Sequence, residues 1–273
     1  MVRNDKIEPV SRWRYIPPLK TSGAMQMAID RYLLDQQNNA VRAGTPQYRG
    51  VLRFYTWQPA AISLGYHQKD YPVAWHDLIW QGQKLELVRR PTGGSAVLHQ
   101  GDLTYAVITS IPPGKRLEVY KQICQFLIVG WRSLGVELDY GRATKEYVRQ
   151  QNCFATATVA DLITVEGHKA IGSAQLRRRQ QVLQHGSMML NTSQEIYRQV
   201  FATELPQNLR EIIPKQKDRS TPSDRDDLTA RIISSLLEAA STIFKIDLVE
   251  QPLSTKEWQD IANLKHDFSL LRY

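Results

Sequence analysis

The chain has little of what marks secreted, metal-binding or membrane proteins. Its 273 residues include two cysteines, Cys124 and Cys153, which are too few for a disulfide framework. The six histidines do not fall in pairs with nearby Cys, Asp or Glu at metal-ligand spacing, so we expect no metal site. No apolar run approaches the roughly 20 residues of a membrane span, and the N-terminal residues lack the apolar core of a secretory signal. We therefore expect a cytoplasmic protein with no membrane partner.

Composition and net charge limit the classes of binding partner that we expect. The hydrophobic fraction of 42% and charged fraction of 23% are ordinary for globular proteins, and the length suits one large domain, or one domain with a smaller appendage. The net charge of +8 favours an acidic protein or an anionic small molecule as partner. The chain has no ribonucleoprotein motif, zinc finger or clear helix-turn-helix pattern, so no nucleic-acid partner is expected.

Hydrophobic periodicity predicts an α/β (α+β) chain. Apolar residues recur at helical spacing in 21–37, 117–134 and 228–244. Alternating or apolar runs predict several strands, and those between 162 and 190 form a three-stranded meander. Cys124 falls on the apolar stripe of the helix at 117–134, so we interpret it as a core residue.

Four further features carry expectations about exposure. The prolines near residue 17 predict an extended arm or edge strand over 1–20. The run 71–81 predicts a short helix with Trp75, Leu78 and Ile79 turned inward, and the polar stretch 208–227 an exposed linker. Asp30 is expected on a solvated helix face.

The stretch 86–108 combines a Gly-rich loop with two arginines. Gly93 and Gly94 lack the Cβ that would block a ligand, and Arg89 and Arg90 supply charged forks for an acidic or phosphate group. We therefore predict a strand, an anion-binding loop and a second strand. The alternative is a tight hairpin with solvated arginines.

Four other side chains could do chemistry. Cys153 follows a polar run and precedes small residues, so it could act as a nucleophile that forms a thioester; the alternative is an unreactive cysteine. Lys169, at the start of a strand of small and apolar residues, could hold a carbonyl or phosphate, act as a base, or simply be solvated. His99 and His185 each follow an apolar run, and such histidines are more often structural than catalytic.

Five ordered segments closely resemble the biotin/lipoate protein ligase and octanoyltransferase family. Its signature is matched by 89–99, and its second and third conserved segments by 169–175 and 183–190. The helix at 25–30 and the strand end at 63–68 also fit, in the same order. This resemblance implies substrate-binding roles for Arg89, Arg90, Thr92, Gly93, Gly94, Ser95, Ala96, His99, Gly172, Ser173, Ala174, Gln175, His185 and Gly186.

The resemblance also implies a fold, a reaction and partners. The fold would be the class II ligase-like catalytic domain, with a mixed, largely antiparallel sheet flanked by helices, over 1–250, and a helical extension at 251–273 would pack on it. The pair Cys153–Phe154 lies where octanoyltransferases of the LipM type carry their catalytic cysteine. Catalysis would use Cys153 and Lys169 without a cofactor. The octanoyl group would pass from acyl carrier protein to a lipoyl-domain acceptor, such as glycine cleavage H protein or a 2-oxoacid dehydrogenase E2.

Three other readings stay open at the level of sequence. An ATP-dependent lipoate ligase would use ATP and Mg²⁺ to form lipoyl-AMP, but such ligases usually carry a third glycine where this chain has Ser95. An amidotransferase would move lipoyl or octanoyl groups between carrier proteins. A non-catalytic member would only bind an acyl or lipoyl domain. The small residues after Phe154 also depart from the family pattern.

Overall fold

The computed structural model describes residues 11–141, 161–214 and 224–270, which hold thirteen strands and six α-helices. The strands are β1 (Ser11–Thr21), β2 (Gly50–Trp57), β3 (Ala61–Leu64), β4 (Ile79–Trp80), β5 (Gln83–Lys84), β6 (Glu86–Arg89), β7 (Val97–His99), β8 (Asp102–Ser110), β9 (Leu138–Tyr140), β10 (Leu162–Thr164), β11 (Lys169–Arg178), β12 (Gln181–Met189) and β13 (Ile246–Glu250). The helices are α1 (Gly23–Arg42), α2 (Arg116–Ser133), α3 (Gln194–Phe201), α4 (Leu209–Ile212), α5 (Asp224–Phe244) and α6 (Thr255–Leu264). Within these described ranges, no helix has the length and apolar character needed to cross a membrane.

One large sheet organises the fold. Its eight strands lie in the order β13-β1-β2-β8-β12-β11-β10-β9. The pairs β13–β1 and β1–β2 are parallel and the others antiparallel. The mixed, largely antiparallel sheet is therefore confirmed, as is the meander β10–β11–β12.

A three-stranded sheet carries the Gly-rich loop. The loop joins β6 to β7, which confirms the predicted strand, loop and strand. These two strands do not pair with each other, because each is hydrogen-bonded to β3, β6 in parallel and β7 antiparallel. The alternative of a tight hairpin is therefore wrong. The loop crosses the end of β3 from one edge to the other, and there it can border a cleft.

Helices cover both faces of the large sheet. Helices α2 and α5 pack on one face, where Cys124 is fully buried, as its place on the apolar stripe predicted. Helix α1 packs on the other face. It begins after Ser22, whose hydroxyl accepts a hydrogen bond from the backbone of Met25, and Glu86 accepts from the backbone amides at the first turn. Helix α1 therefore packs on the large sheet and is joined at its first turn to β6 of the three-stranded sheet.

Two expectations about local structure are confirmed only in part. Residues 11–21 form an extended strand, but β1 is interior and not at an edge, because β13 from near the C-terminus covers it, and Pro17 and Pro18 fall within a register shift. Residues 1–10 of this prediction lie outside the described residues. In 71–81, Val73–Asp77 is a 3₁₀ turn and Trp75 is buried as predicted, whereas the side chain of Ile79 is exposed. Gln81 and Gly82 both have positive φ, as in the two-residue turns that join hairpin strands, and they connect β4 to β5.

Of the predicted linker 208–227, the structure describes 208–214 as a packed segment, and 215–223 lie outside the described residues. The packed segment contains the short helix α4, and Leu209 within it is buried. The amide side chain of Asn208 binds both the N–H and the C=O of Thr192. Because Asn208 satisfies this backbone while Leu209 enters the core, the first part of the stretch is a packed element rather than a linker.

The C-terminal residues close the small sheet. Helix α6 packs on α1, and Glu257 at its start forms a two-pronged ion pair with Arg14 of β1. Beyond it, Ser269 bridges Val88 of β6, and the backbone N–H of Arg89 donates to Phe268. The predicted boundary between 250 and 251 falls between β13 and α6, and stays a prediction.

Candidate active site

A cleft lies between the large sheet and the small sheet, with α1 at one side. It encloses about 510 Å³ of empty space, part of it open to solvent. Strands β2, β8, β11 and β12 contribute one wall and β3, β7 and the Gly-rich loop the other. The lining residues are Met27, Tyr55, Trp57, Ser63, Arg90, Gly93, Gly94, Val97, His99, Thr104, Asp161, Gly172, Ser173, Ala174, His185, Gly186 and Ser187. The segments 89–99, 169–175 and 183–190, which resemble the three family motifs, therefore meet at one cavity.

Close backbone contact fixes the Gly-rich loop against the end of β3. A Cβ added to Gly65 would lie 1.8 Å from the carbonyl oxygen of Gly94, so only glycine allows this approach. The backbone N–H of Tyr66 donates to the carbonyl of Thr92 over 2.8 Å. Gly94 itself has φ of +96°, a conformation that glycine adopts readily. The paired glycines thus serve the path of the chain as well as access to the cleft.

Arg90 holds the loop from inside. All five of its N–H directions are used: Nε and Nη2 donate to Gly93, Nη2 also to Ser95, and Nη1 to the carbonyl and hydroxyl of Ser63. Its neighbour Arg89 donates through Nη1 to the carbonyls of three residues between 65 and 68. The sequence predicted that these arginines bind an anion. In the structure, the donors of Arg90 instead hold the Gly-rich loop in place.

His99 continues this network into the protein. Its Nδ1 lies 2.8 Å from a carboxylate oxygen of Asp102, so this nitrogen carries the proton. Its Nε2 lies 2.8 Å from the hydroxyl of Ser63, which donates to it while accepting from Arg90. Burial lowers the pKa of His99 below its usual value, although Asp102 opposes this shift. A neutral His99 with both nitrogens engaged is a positioning residue.

Asp102 also gathers hydroxyl groups beneath the cleft. The same oxygen accepts from Thr104 and Ser187, over 3.0 and 2.7 Å. The indole N–H of Trp57 donates to Thr104, and its ring stacks on the ring of His99 at 3.7 Å between centroids. Trp57 therefore closes one end of the cleft as a rigid wall.

A second relay of the same kind uses Asp30. Its carboxylate lies 2.8 Å from Nδ1 of His185, whose Nε2 lies 2.7 Å from the hydroxyl of Thr92 in the Gly-rich loop. Asp30 also accepts from Tyr55 and pairs with Arg53. The expectation of a solvated Asp30 is wrong, since its side chain is fully buried. A buried carboxylate needs such partners to stay charged, and here they tie α1 to the loop.

Lys169 forms a buried ion pair at the cleft wall. Its Nζ lies 2.8 Å from a carboxylate oxygen of Asp161, and both side chains are at most 3% exposed. The alternative of a solvated strand end is therefore wrong. Asp161 lines the cleft, so the pair places a fixed cation beside the space where an acyl group would lie.

Strands β11 and β12 lie close together in the large-sheet wall of the cleft. A Cβ on Gly186 would lie 2.6 Å from the carbonyl oxygen of Gly172, so this contact requires glycine at position 186. Tyr105 and Tyr120 bind the hydroxyl and carbonyl of Ser173 from beneath. Small residues thus leave the cleft open while buried phenols fix its floor.

Cys124 lies beneath this floor and is inert. It accepts a hydrogen bond from Gln184 over 3.1 Å, and burial raises the pKa of its thiol to about 11. At neutral pH almost none of it is thiolate, the form that attacks an acyl group. The nucleophile predicted from the sequence, Cys153, lies outside the described residues.

The sequence-derived site is only partly the cleft wall. Arg90, Gly93, Gly94, His99, Gly172, Ser173, Ala174, His185 and Gly186 line it, whereas Arg89, Thr92, Ser95, Ala96, Gln175 and Lys169 lie around it. Sequence reasoning missed Met27, Tyr55, Trp57, Asp102 and Asp161. Two signals were present: Asp102 follows His99 by three residues, and Asp161 precedes the strand that pairs with Lys169.

Comparisons with known proteins agree with this geometry. The family model of the lipoyl protein ligase A/B catalytic domain matches residues 22–240. Octanoyltransferase LipM of Carboxydothermus hydrogenoformans is 36% identical over 254 residues, which cover 90% of this chain and 91% of the relative. A family match over most of the chain and a relative this similar show the family.

Solved structures show the fold. Lipoate-protein ligase A bound with ATP has a TM-score of 0.70 at 19% identity, covering 93% of this chain and 94% of its own. A bipartite lipoate protein ligase of Thermoplasma acidophilum, studied with its E2 lipoyl domain, has a TM-score of 0.68 at 18% identity, covering 94% and 93%. The biotin/lipoate ligase fold expected from the sequence is confirmed. The chain therefore belongs to the lipoyl protein ligase A/B catalytic domain family and is an acyltransferase enzyme.

Proposed function

We propose that this chain is an octanoyltransferase of protein lipoylation that works through a thioester on Cys153. The donor is octanoyl-acyl carrier protein, and the acceptor is a lysine of a lipoyl-domain protein such as glycine cleavage H protein or a 2-oxoacid dehydrogenase E2. The similarity to Octanoyltransferase LipM over 90% of the chain carries the proposal. A free cysteine nucleophile suits a reducing cytoplasm.

The first step moves the acyl group to the enzyme. The thiolate of Cys153 attacks the thioester carbonyl of the donor, and the tetrahedral intermediate expels the phosphopantetheine thiolate, which takes up a proton. One thioester forms as another breaks, so the step needs no ATP. Lys169 is a cation fixed by Asp161, and it stabilises the negative oxygen that develops.

The second step moves the acyl group to the acceptor. The neutral amine of the acceptor lysine attacks the Cys153 thioester, an amide forms, and Cys153 leaves as a thiolate while the nitrogen loses a proton. The small side chains at Gly93, Gly94 and Gly172 leave the cleft open to the acyl chain. We assign the support of the oxyanion to backbone N–H groups of the Gly-rich loop.

One contact weighs against the ATP-dependent ligase. A ligase needs cationic donors for the phosphates of ATP. All five N–H directions of Arg90 already point to oxygens of Ser63, Gly93 and Ser95. The loop arginine that would be expected to serve ATP thus has its donors engaged, which supports transfer between thioesters.

Mass spectrometry of the acylated enzyme tests the proposal. We expect incubation with octanoyl-acyl carrier protein, without ATP, to add one octanoyl group to the wild type and none to Cys153→Ala. Cys124→Ala is the matched control, since its thiol has a pKa near 11 and is buried. It should acylate like the wild type.

Two results would contradict the proposal. Acylation that survives Cys153→Ala would show that another group is the nucleophile. Pyrophosphate exchange from ATP that depends on lipoate, with no acyl-enzyme from the carrier donor, would identify a ligase.

A further inference from the structure

A basic patch lies where the β11–β12 hairpin meets the start of α2. The hairpin tip carries Arg177, Arg178 and Arg179, and the turn before α2 leads into Lys115 and Arg116. The two segments touch, because the backbone N–H of Ile111 donates to Gln180 over 2.9 Å and the side chain of Gln181 binds Ser110. We call these five cationic residues the hairpin patch.

The hairpin patch keeps a positive charge. Arg178 turns toward α1 on the opposite face of the large sheet and pairs there with Asp35 over 2.6 Å, whereas Glu118 accepts from the backbone N–H of Lys115. On the α2 side, the other four cations against Glu118 leave a net charge of +3, and the positive end of the α2 dipole adds to it. Leu117, beside the cations, is an exposed apolar side chain. Such a surface attracts and holds an acidic protein.

Arg177 adds a fork for a single anion. Its Nε and Nη2 are buried, and within the described part of the chain neither has a hydrogen-bond partner. These two N–H groups project side by side from one edge of the guanidinium, which is the arrangement that holds a phosphate with two bonds. Two adjacent donors without a partner can be satisfied together by one added anion. The side-chain oxygen of Gln175 is unpaired in the same way.

Distance along β11 identifies which partner fits. Ser173 lines the cleft, and Gln175 and Arg177 follow it at two-residue spacing on the face of β11 that is turned toward α2, where Gln175 donates to Gln184. Four residues of strand span about 13 Å. A lysine side chain has five bonds from Cα to Nζ and reaches about 6 Å, whereas a phosphopantetheine arm has 13 bonds between sulfur and phosphorus and reaches about 15 Å, at the reach per bond of an extended backbone. Only the arm joins the cleft to Arg177.

We propose that the hairpin patch is the docking surface of the acidic acyl carrier protein, with the phosphate of its arm on the Arg177 fork. This inference rests on the proposed function, because it assumes a carrier-bound donor. It also gives the carrier a surface that the loop arginines do not provide, since Arg90 is engaged with its own loop. The arm then runs past Gln175, whose oxygen accepts from one of its amides, to the cleft at Ser173.

Charge reversal with two kinds of donor tests the docking surface. Arg116→Glu/Arg179→Glu changes two exposed cations. We expect KM for octanoyl-acyl carrier protein to rise at least about tenfold, with a matching loss in carrier binding by fluorescence anisotropy, because opposite charges now repel. The rate with octanoyl-pantetheine, which has no protein part, should stay within about twofold, since this donor does not touch the patch.

A matched control separates this effect from net charge. Lys245→Glu/Lys256→Glu also reverses two exposed cations, one at positive φ like Arg179 and one in the first turn of a helix like Arg116. It lies toward the opposite edge of the large sheet, so it should leave KM for the carrier unchanged. Equal effects of both variants, an equal loss with octanoyl-pantetheine, or a rise in KM for the acceptor protein instead would each overturn the docking surface.

Arg177→Gln tests the phosphate fork within one enzyme. We expect it to lower kcat/KM for octanoyl-phosphopantetheine relative to octanoyl-pantetheine by about tenfold, because only the first donor has the phosphate. An unchanged ratio would overturn the fork, whatever the variant does to folding. A wild type inactive with every thioester donor would overturn the proposed function instead. In that case, carrier binding can still be measured. If Arg116→Glu/Arg179→Glu binds the carrier as tightly as the wild type, the docking surface is overturned as well.

Discussion

At the scale of single residues, the Lys169–Asp161 pair is the most consequential contact. Both side chains are almost fully buried and their charged atoms lie 2.8 Å apart. A buried charge without its partner is costly, so the two residues depend on each other. This contact shows why a lysine stands at the start of a strand made otherwise of small and apolar residues.

A double-variant comparison tests this dependence. We expect Lys169→Met and Asp161→Asn each to lower the free energy of unfolding by about 3–5 kcal/mol, because each removes one charge of a buried ion pair. The double variant should lose less than the sum of the two, measured by urea unfolding. In activity assays Lys169→Met should lose about 10²–10³-fold in kcat, as when one group that stabilises an oxyanion is removed. Additive losses of stability would show that the ion pair does not couple the residues.

His99 adds a pH dependence to stability. Its pKa is lowered by burial in the folded chain, whereas the unfolded chain takes up the proton near pH 6.5. The unfolded state therefore binds more protons as the pH falls below about 6.5, and the free energy of unfolding declines until the lower folded pKa is passed. Above pH 7 this residue contributes no slope.

Urea unfolding at pH 7.5 and pH 5.5 measures this contribution. We expect His99→Gln to reduce the loss of stability between the two values, although it is less stable at both. His266→Gln, at an exposed position, should keep the slope of the wild type. A His99→Gln slope equal to that of the wild type would contradict the assignment of a neutral, buried imidazole.

At the scale of elements, the Gly-rich loop is held from three directions. Arg90 binds it from within, the relay from Asp30 through His185 reaches Thr92, and the end of β3 presses on Gly94. Each contact comes from a different element. The loop is thus preorganised before any substrate arrives, and this lowers the cost of binding.

A pair of glycine variants tests the close approach. Gly65→Ala should lower stability by about 1–3 kcal/mol and reduce activity, because its Cβ would overlap the carbonyl oxygen of Gly94 and displace the loop. Gly93→Ala is the control for stability, since its Cβ would meet no atom within 4 Å. Thermal unfolding should separate the two variants, and the transfer assay applies to Gly65→Ala alone because Gly93 lines the cleft. Equal tolerance of both would mean that the loop shifts freely.

At the scale of the whole molecule, the C-terminal residues complete the site indirectly. Phe268 enters the core that contains α1, and the backbone of 268–270 pairs with β6, which leads into the Gly-rich loop. Residues more than 150 positions apart in sequence thus share one small sheet.

Shortening the chain tests this role. We expect ending it after Asp267 to lower the thermal midpoint, because it removes a buried aromatic ring worth about 3–5 kcal/mol and the edge pairing of β6. Ending it after Leu270 keeps both and should preserve the midpoint. A similar midpoint for the two shortened chains would show that 268–270 does not stabilise the small sheet.

The sequence by itself determined the elements and the family. Periodicity located the main helices and the meander, because burial of one face imposes a regular repeat. The motifs around Gly93, Lys169 and His185 indicated a common site. The sequence misled at the end of short runs such as 71–81. There the helical pattern is too short to extend the helix, and a hairpin turn forms at Gln81 and Gly82.

Only the tertiary structure decided which charges are free. The sequence does not distinguish Arg90, Asp30 and Lys169 from solvated or ligand-binding residues. In the structure, each of the three binds partners from other strands or loops. Such pairing depends on three-dimensional proximity, and no local repeat encodes it. The same limit hid Trp57 and Asp161 from the predicted site, because they reach the cleft only when two sheets and a helix come together.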